Sequence, residues 1–258
     1  MRKEFRYLLY IDILGFSELV KNDVKKVKAL FTIVNELNSH QHFDFKTIVF
    51  SDTILIFNRK IAVTQHDHEY LIMYSCEFIQ DLMFKTLELD IQFRAILTYD
   101  EFYYENLDNL EAYYGKALVN AYYKEKEING LGLFIDKRIS HYNTIFKMSE
   151  FDKDLNFVYL LQALEFLHSF GEFLLPLSPS YVSEGYDLFG LEDNICILKT
   201  IHTNIAIQID SRIRGKYLET YNQYRKRYGW LLNIFETSCF DHTVISPEAE
   251  WEHLKRSI

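Results

Sequence analysis

The chain has 258 residues, 48% of them hydrophobic, which is enough for one large domain, or one domain with a substantial extension, and excludes a disordered chain. With 37 acidic against 28 basic residues its formal charge is −9, so the net field gives no general affinity for nucleic acid or an anionic membrane surface. No apolar run approaches the roughly 18 residues that span a bilayer, no leader precedes the first strand, and Cys76, Cys196 and Cys239 lie far apart without metal-ligand spacing, so the expectation is a soluble cytoplasmic protein.

Residues 5 to 11 (FRYLLYI) have the length and apolarity of a buried strand. Residues 16 to 38 then place Phe16, Leu19, Val20, Val27, Leu30, Phe31, Val34 and Leu37 at helical spacing. KTIVF and TILIF are short β-branched and aromatic runs separated by Ser51 and Asp52, the pattern of a tight hairpin with a carboxylate at its tip. A helix over 67–87, a strand over 91–99 (IQFRAILTY), an aromatic hairpin arm (EFYYE), a helix near GKALVNAYYKEKE and a strand over 132–136 follow. The order β-α-β-β-α-β-α-β predicts an α+β fold with a ferredoxin-like core over residues 1–145.

Beyond residue 145 the pattern turns helical, so residues 146–258 are expected to form a helical C-terminal extension. One helix is expected over Leu155 to Leu175, a loop over PLSPSYVSEGYDLFG, and one or two long helices over 193–236. In the last of these Ile213, Tyr217, Tyr221, Tyr224, Tyr228, Leu231 and Phe235 step by three or four, an apolar stripe that wants a partner in the core or in another chain.

Asp12 ends the first strand and Asp52 tips the following hairpin, so the two carboxylates meet if those strands are neighbours, and together they are able to hold divalent metal. Backbone N–H groups around Leu14 to Ser17, where the chain turns into a helix after Gly15, add an anion site for phosphates. The plainer explanations are that Asp52 is a turn residue and that Asp12 caps the helix after it.

YIDILGFS resembles the first metal motif of class III nucleotide cyclases, and FSDTILIF occupies the place of their second. More closely, FSD, FRAILTYDEFYY and YYGKALVNAYYKEKE resemble the pyrimidine cyclases of bacterial Pycsar antiphage systems, over residues 5 to 140. The resemblance implies a class III cyclase core in which Asp12, Ile13 and Asp52 hold two Mg2+ or Mn2+ ions with a nucleoside triphosphate. The turn Ile13, Leu14, Gly15 and Phe16 then takes the phosphates. Phe50, beside the Ser-Asp turn, and Tyr113 or Tyr114 are able to wall or stack on a base, although aromatic residues there are first of all packing. The resemblance further implies a head-to-tail homodimer with composite sites, and a separate cyclic-nucleotide-sensing effector protein as the recipient of the product.

The sequence departs from that family in two places. The positions that read a purine fall on Ile48 and Ala112, which weakens purine specificity, although Lys46 lies on the same strand face as Ile48 and is able to substitute. The family's Asn and Arg, four residues apart, fall on Val119 and Tyr123 in one register and on Asn120 and Lys124 in the next. Neither register supplies the arginine, so either the stabilising cation comes from Lys124, which equally reads as solvated, from Arg94 or from the basic helix, or activity is reduced; the basic cluster Arg212, Arg214, Lys216, Arg225, Lys226 and Arg227 otherwise reads as a solvated helix face.

His40, His42 and the run His66 to Glu69 read as solvated loop, without the third ligand a zinc site needs. No Walker loop, dinucleotide fingerprint or nucleophile elbow is present. The expectation is a pyrimidine cyclase acting on CTP or UTP in antiviral defence. The alternatives are a cyclase-like protein that senses nucleotide without turning it over, and an adenylate or guanylate cyclase with unusual base contacts.

Overall fold

The computed structural model of the chain describes residues 3–37, 44–184, 188 and 190–251. It divides into two compact units, Met1–Leu160 and Leu161–Ile258, so the sheet-bearing unit runs past the limit expected at 145.

The first unit runs β1 (Phe5–Ile13), α1 (Phe16–Asn22), α2 (Val24–Glu36), β2 (Phe45–Phe50), β3 (Thr53–Asn58), α3 (Gln65–Lys85), β4 (Phe93–Glu101), β5 (Tyr103–Asn106), β6 (Glu111–Tyr114), α4 (Lys116–Glu127), β7 (Gly132–Asp136), β8 (Lys147–Glu150) and β9 (Leu155–Tyr159). Seven strands form one sheet in the order β2-β3-β1-β4-β7-β9-β8, and β5 pairs with β6 as a separate arm. β1 is antiparallel to both β3 and β4, and β7 joins β4 in parallel. The first four strands therefore make the split βαββαβ arrangement of a ferredoxin-like core, as the element order implied.

β1 lies between two strands and is covered on both faces, which is why it reads as a nearly continuous apolar run. Tyr7, Leu9, Ile11 and Ile13 join Ile54, Ile56, Ala95 and Leu97 in a core closed by Leu30 and Val34 of α2 and by Ile72 and Ile79 of α3. Leu8 and Tyr10 point the other way, with Leu55 and Phe57, under Ala117 and Ala121 of α4. By the same alternation Asp12 belongs to the α4 face.

Several elements differ from expectation for identifiable reasons. The single helix over 16–38 is broken at Asp23, whose side chain accepts the Lys26 N–H at 3.1 Å and so caps α2. The run His66 to Glu69 is the first turn of α3 and not a loop, because Thr64 and Asp67 close a capping box. His68 there bonds the Tyr7 hydroxyl through Nδ1 at 2.7 Å, while His40 and His42 lie outside the described residues. The helix expected over Leu155 to Leu175 is replaced by β9 and a shorter helix, since a strand buried on both faces loses the alternation that would reveal it.

The second unit holds α5 (Gln162–Phe170), α6 (Pro179–Glu184), α7 (Leu191–Ile207) and α8 (Ser211–Thr237). α6 interrupts the expected loop, with Pro179 at a first helical position that needs no N–H. The stripe on α8 is covered within this unit: Tyr217, Tyr221, Tyr224, Tyr228, Leu231 and Phe235 are buried where α8 packs on α7 and α5. Within this unit the basic cluster makes ion pairs of its own, Arg212 with Asp210, Arg225 with Glu236 and Arg227 with Glu165. No helix among the described residues is long and apolar enough to cross a membrane.

Candidate active site

In the β1–β3 ladder Asp12 stands opposite Thr53, and Asp52 is the next residue, at the hairpin tip. Thr53 pairs with Phe50 across the hairpin, so Ser51 and Asp52 form a two-residue turn with Ser51 in the left-handed region at φ 57°. The Asp52 carbonyl accepts the Ile13 N–H at 2.9 Å, which fastens the hairpin tip to the end of β1. Backbone hydrogen bonding alone therefore brings the two aspartates together. Asp12 is no helix cap, because α1 starts after Gly15 with no side-chain cap.

The surroundings of Asp12 come from β4 and α4. Arg94 is its direct partner in the β1–β4 ladder, and Arg94 Nη2 donates to Asp12 Oδ2 at 3.1 Å. Arg94 is only 6% exposed, also bonds Glu125 of α4, and donates from Nη1 to the Ile128 carbonyl at 2.7 Å. Burial pulls its guanidinium below the usual range, and Asp12 opposes that pull. Clasped on three sides, Arg94 anchors Asp12 and α4.

Tyr10 lies on the same face, with its hydroxyl 3.4 Å from Thr53 Oγ1. Burial first, and then the negative fields of Asp12 and Asp52, push its phenol up against the opposing bond to Thr53. One phenol thus feels both carboxylates. Among the described residues no group of three His, Cys, Asp or Glu side chains is able to hold a metal by itself. Two carboxylates on adjacent backbone positions, without a third protein ligand, suit a hard divalent cation such as Mg2+ or Mn2+ that keeps other oxygen ligands, and do not suit a structural zinc.

The anion site at the turn is smaller than expected. The Ile13 N–H is spent on Asp52, and the Leu14 N–H on the Gln92 carbonyl at 2.9 Å. Phe16 and Ser17 keep the helix-start N–H groups that have no carbonyl one turn back. The side chains of Ile13 and Phe16 are buried in the core, so each has only backbone to offer.

Phe50 is 78% exposed at the hairpin end. Lys46 shares its face, but its Nζ bonds both Glu111 carboxylate oxygens at 2.8 Å and lies 5.3 Å from the Tyr113 ring centre, so the β5–β6 arm takes up this ammonium. Asn120 and Lys124 are elsewhere: they line a cleft of about 460 Å³ beside β4, β7 and β9 that neither Asp12 nor Asp52 lines. Asn120 Nδ2 donates to Asp100 at 3.3 Å, and Lys124 bonds Asp154 and pairs with Glu127 at 3.4 Å.

Sequence reasoning missed Tyr10, Thr53, Asp100 and Arg138. The first two were readable by strand alternation from Asp12. The others meet only through the pairing of β4 with β7, strands that no local pattern joins.

No family model matches the chain, and no curated protein matches it. Among solved structures it is similar to the adenylyl cyclase CyaB from P. aeruginosa, at 11% identity and a TM-score of 0.47 over 61% of this chain and 95% of that one. It is similar to the guanylyl cyclase domain of the RhoGC fusion protein from Blastocladiella emersonii at 16% identity and a TM-score of 0.46, over 61% and 95% of the two chains. The guanylate cyclase domain of RhGC from Catenaria anguillulae in complex with GTP gives 13% identity and a TM-score of 0.45, over 61% and 97%.

Proposed function

We propose that the chain is a nucleotide cyclase that converts CTP or UTP to the 3′,5′-cyclic monophosphate and pyrophosphate. The observation that carries this is the meeting of Asp12 and Asp52 on neighbouring strands, fixed by the Ile13 to Asp52 hydrogen bond. Asp12, the Ile13 carbonyl and Asp52 would hold Mg2+ or Mn2+ with the substrate phosphates; when bound, such ions make the ribose 3′-hydroxyl a better nucleophile and neutralise the departing pyrophosphate.

The chain's own groups do the rest. Arg94 holds Asp12 in place by charge-assisted hydrogen bonds. The Phe16 and Ser17 N–H groups receive phosphate oxygens at the start of α1. Phe50, exposed at the hairpin end, offers a face for a base to stack on. Counted back from Asp52 and Gly115, the purine-reading positions of the resembled cyclases fall on Ile48 and Ala112, which weakens purine specificity. Asn120 lies outside the aspartate pair of its own chain, so we assign it to the site of a second copy in a head-to-tail dimer. The cyclic nucleotide then acts on a separate effector protein, in antiviral defence.

A second reading, a protein that binds nucleotide without turning it over, is favoured by the absence of an arginine on α4. The experiment is incubation with ATP, GTP, CTP and UTP singly, with Mn2+, followed by mass detection of cyclic products. A cyclic pyrimidine is expected; a cyclic purine would replace the substrate, and binding without product would favour the second reading.

A further inference from the structure

The short connection between α7 and α8 holds an apolar tip in water. α7 ends at Ile207, where the Gln208 N–H closes on the Asn204 carbonyl at 3.1 Å and the Gln208 side-chain amide donates to Asn204 Oδ1 at 3.1 Å. α8 begins at Ser211 behind Asp210, whose Oδ1 accepts the Arg212 and Ile213 N–H groups at 2.8 and 3.4 Å. Both helix ends are closed, so the connection is a fixed turn and not a frayed end. Ile207 is 64% exposed and Ile209 97%, which makes Ile209 the most exposed large apolar side chain among the described residues. A lone surface aliphatic is ordinary, but two on one short turn form a patch, and a polar residue at either position would leave the core unchanged.

The charges beside this tip are mostly of one sign. Between Ile201 and Leu218 the sequence carries Arg212, Arg214 and Lys216 against a single carboxylate, Asp210, in a chain whose formal charge is −9. Arg212 keeps 89% of its side chain exposed, and its surface pair with Asp210 at 3.3 Å is weak in water. Arg214 is exposed as well, and among the described residues no carboxylate pairs with it. Because α7 and α8 pack against each other, the turn that joins them is a convex end and not a groove. A second copy meeting it end to end would bring like charges together, since a two-fold contact sets each patch against itself. Aliphatic side chains at a convex apex, with cations in the helix turns behind them, match a soft anionic surface that adapts to their shape.

We infer that the α7–α8 turn docks on an anionic phospholipid surface. Ile207 and Ile209 enter the boundary between headgroups and acyl chains, and Arg212 and Arg214 lie against the headgroups. The contact is peripheral, because no helix among the described residues is long and apolar enough to cross a membrane. It is local, because the net charge of the chain repels such a surface everywhere else. The inference is independent of the cyclase reading.

The test is sedimentation of the full chain with vesicles of phosphatidylcholine alone and of phosphatidylcholine with phosphatidylglycerol in equal parts, at low and at high salt. The wild-type protein should pellet with the mixed vesicles, stay in solution with the neutral ones, and be released in part by salt. Ile207→Ser combined with Ile209→Ser should weaken partitioning by about tenfold or more, because interfacial binding scales with the apolar area inserted. Arg212→Gln combined with Arg214→Gln should weaken it by about tenfold on the mixed vesicles. Both variants should melt with the wild type, since the altered side chains are exposed. Wild-type protein left in the supernatant with mixed vesicles, or an isoleucine variant that partitions as the wild type does, overturns the inference. Association between copies that Ile209→Ser abolishes, without vesicle binding, overturns it as well and makes the tip a protein contact.

Discussion

A Cβ on Gly115 would lie 2.3 Å from the Glu101 carbonyl oxygen and 2.7 Å from the Phe102 Cα, at a φ of +145°. The glycine before α4 is therefore set by the close passage of the chain leaving β4, and Gly115→Ala should destabilise the protein by at least about 2 kcal/mol in urea unfolding. Gly15 has open space around it and needs only its φ of +71°, so Gly15→Asn, a residue that tolerates the left-handed region, should cost less than about 1 kcal/mol. Asp12→Asn keeps an oxygen for the Arg94 guanidinium while losing the charge. It should preserve the unfolding midpoint and abolish turnover, which separates a ligand from a merely structural carboxylate.

At the scale of elements, the buried Arg94 joins β1, β4 and α4. Arg94→Met leaves Glu125 buried without its cation and should cost about 3–5 kcal/mol, whereas Arg94→Met with Glu125→Leu should cost less than the sum of the two single changes. Denaturant unfolding of all four proteins in the cycle checks this; strict additivity would remove the clamp from the account. The strands β1 to β4 were legible because apolar runs and a tight turn announce them, and Asp12 and Asp52 were legible because a carboxylate ends each run. β9 was not, since burial on both faces hides its period, and the break at Asp23 hid inside an otherwise helical pattern. The environment of Arg94 was equally hidden: its partners come from three elements, and only the register of β1 against β4 puts a guanidinium under Asp12.

At the scale of the whole molecule, burial is the main cause raising the phenols of Tyr7, Tyr221 and Tyr228, and it pushes Tyr74 up to about 12. The unfolded chain ionises its tyrosines near the ordinary value of about 10, so above that pH the unfolded state binds fewer protons than the native state. The stability these phenols confer is complete below about pH 10 and is lost as pH rises toward their folded values. Urea midpoints should therefore fall between about pH 10 and 12, with tyrosinate absorbance appearing together with unfolding. The assembly has its own test. In the proposed head-to-tail dimer, Asp12→Asn mixed with Asn120→Ala should restore about a quarter of the wild-type rate, because half of the dimers would be mixed and each of those would have one intact site of two.

The most direct test of the account is the metal-dependent turnover of CTP and UTP by the wild-type protein beside Asp12→Asn and Asp52→Asn, with cyclic product read by mass. The account predicts one cyclic pyrimidine nucleotide from the wild-type protein and none from either variant, with all three equally folded. A variant that keeps the wild-type rate, or a folded wild-type protein that forms no cyclic product with Mn2+ present, would contradict it.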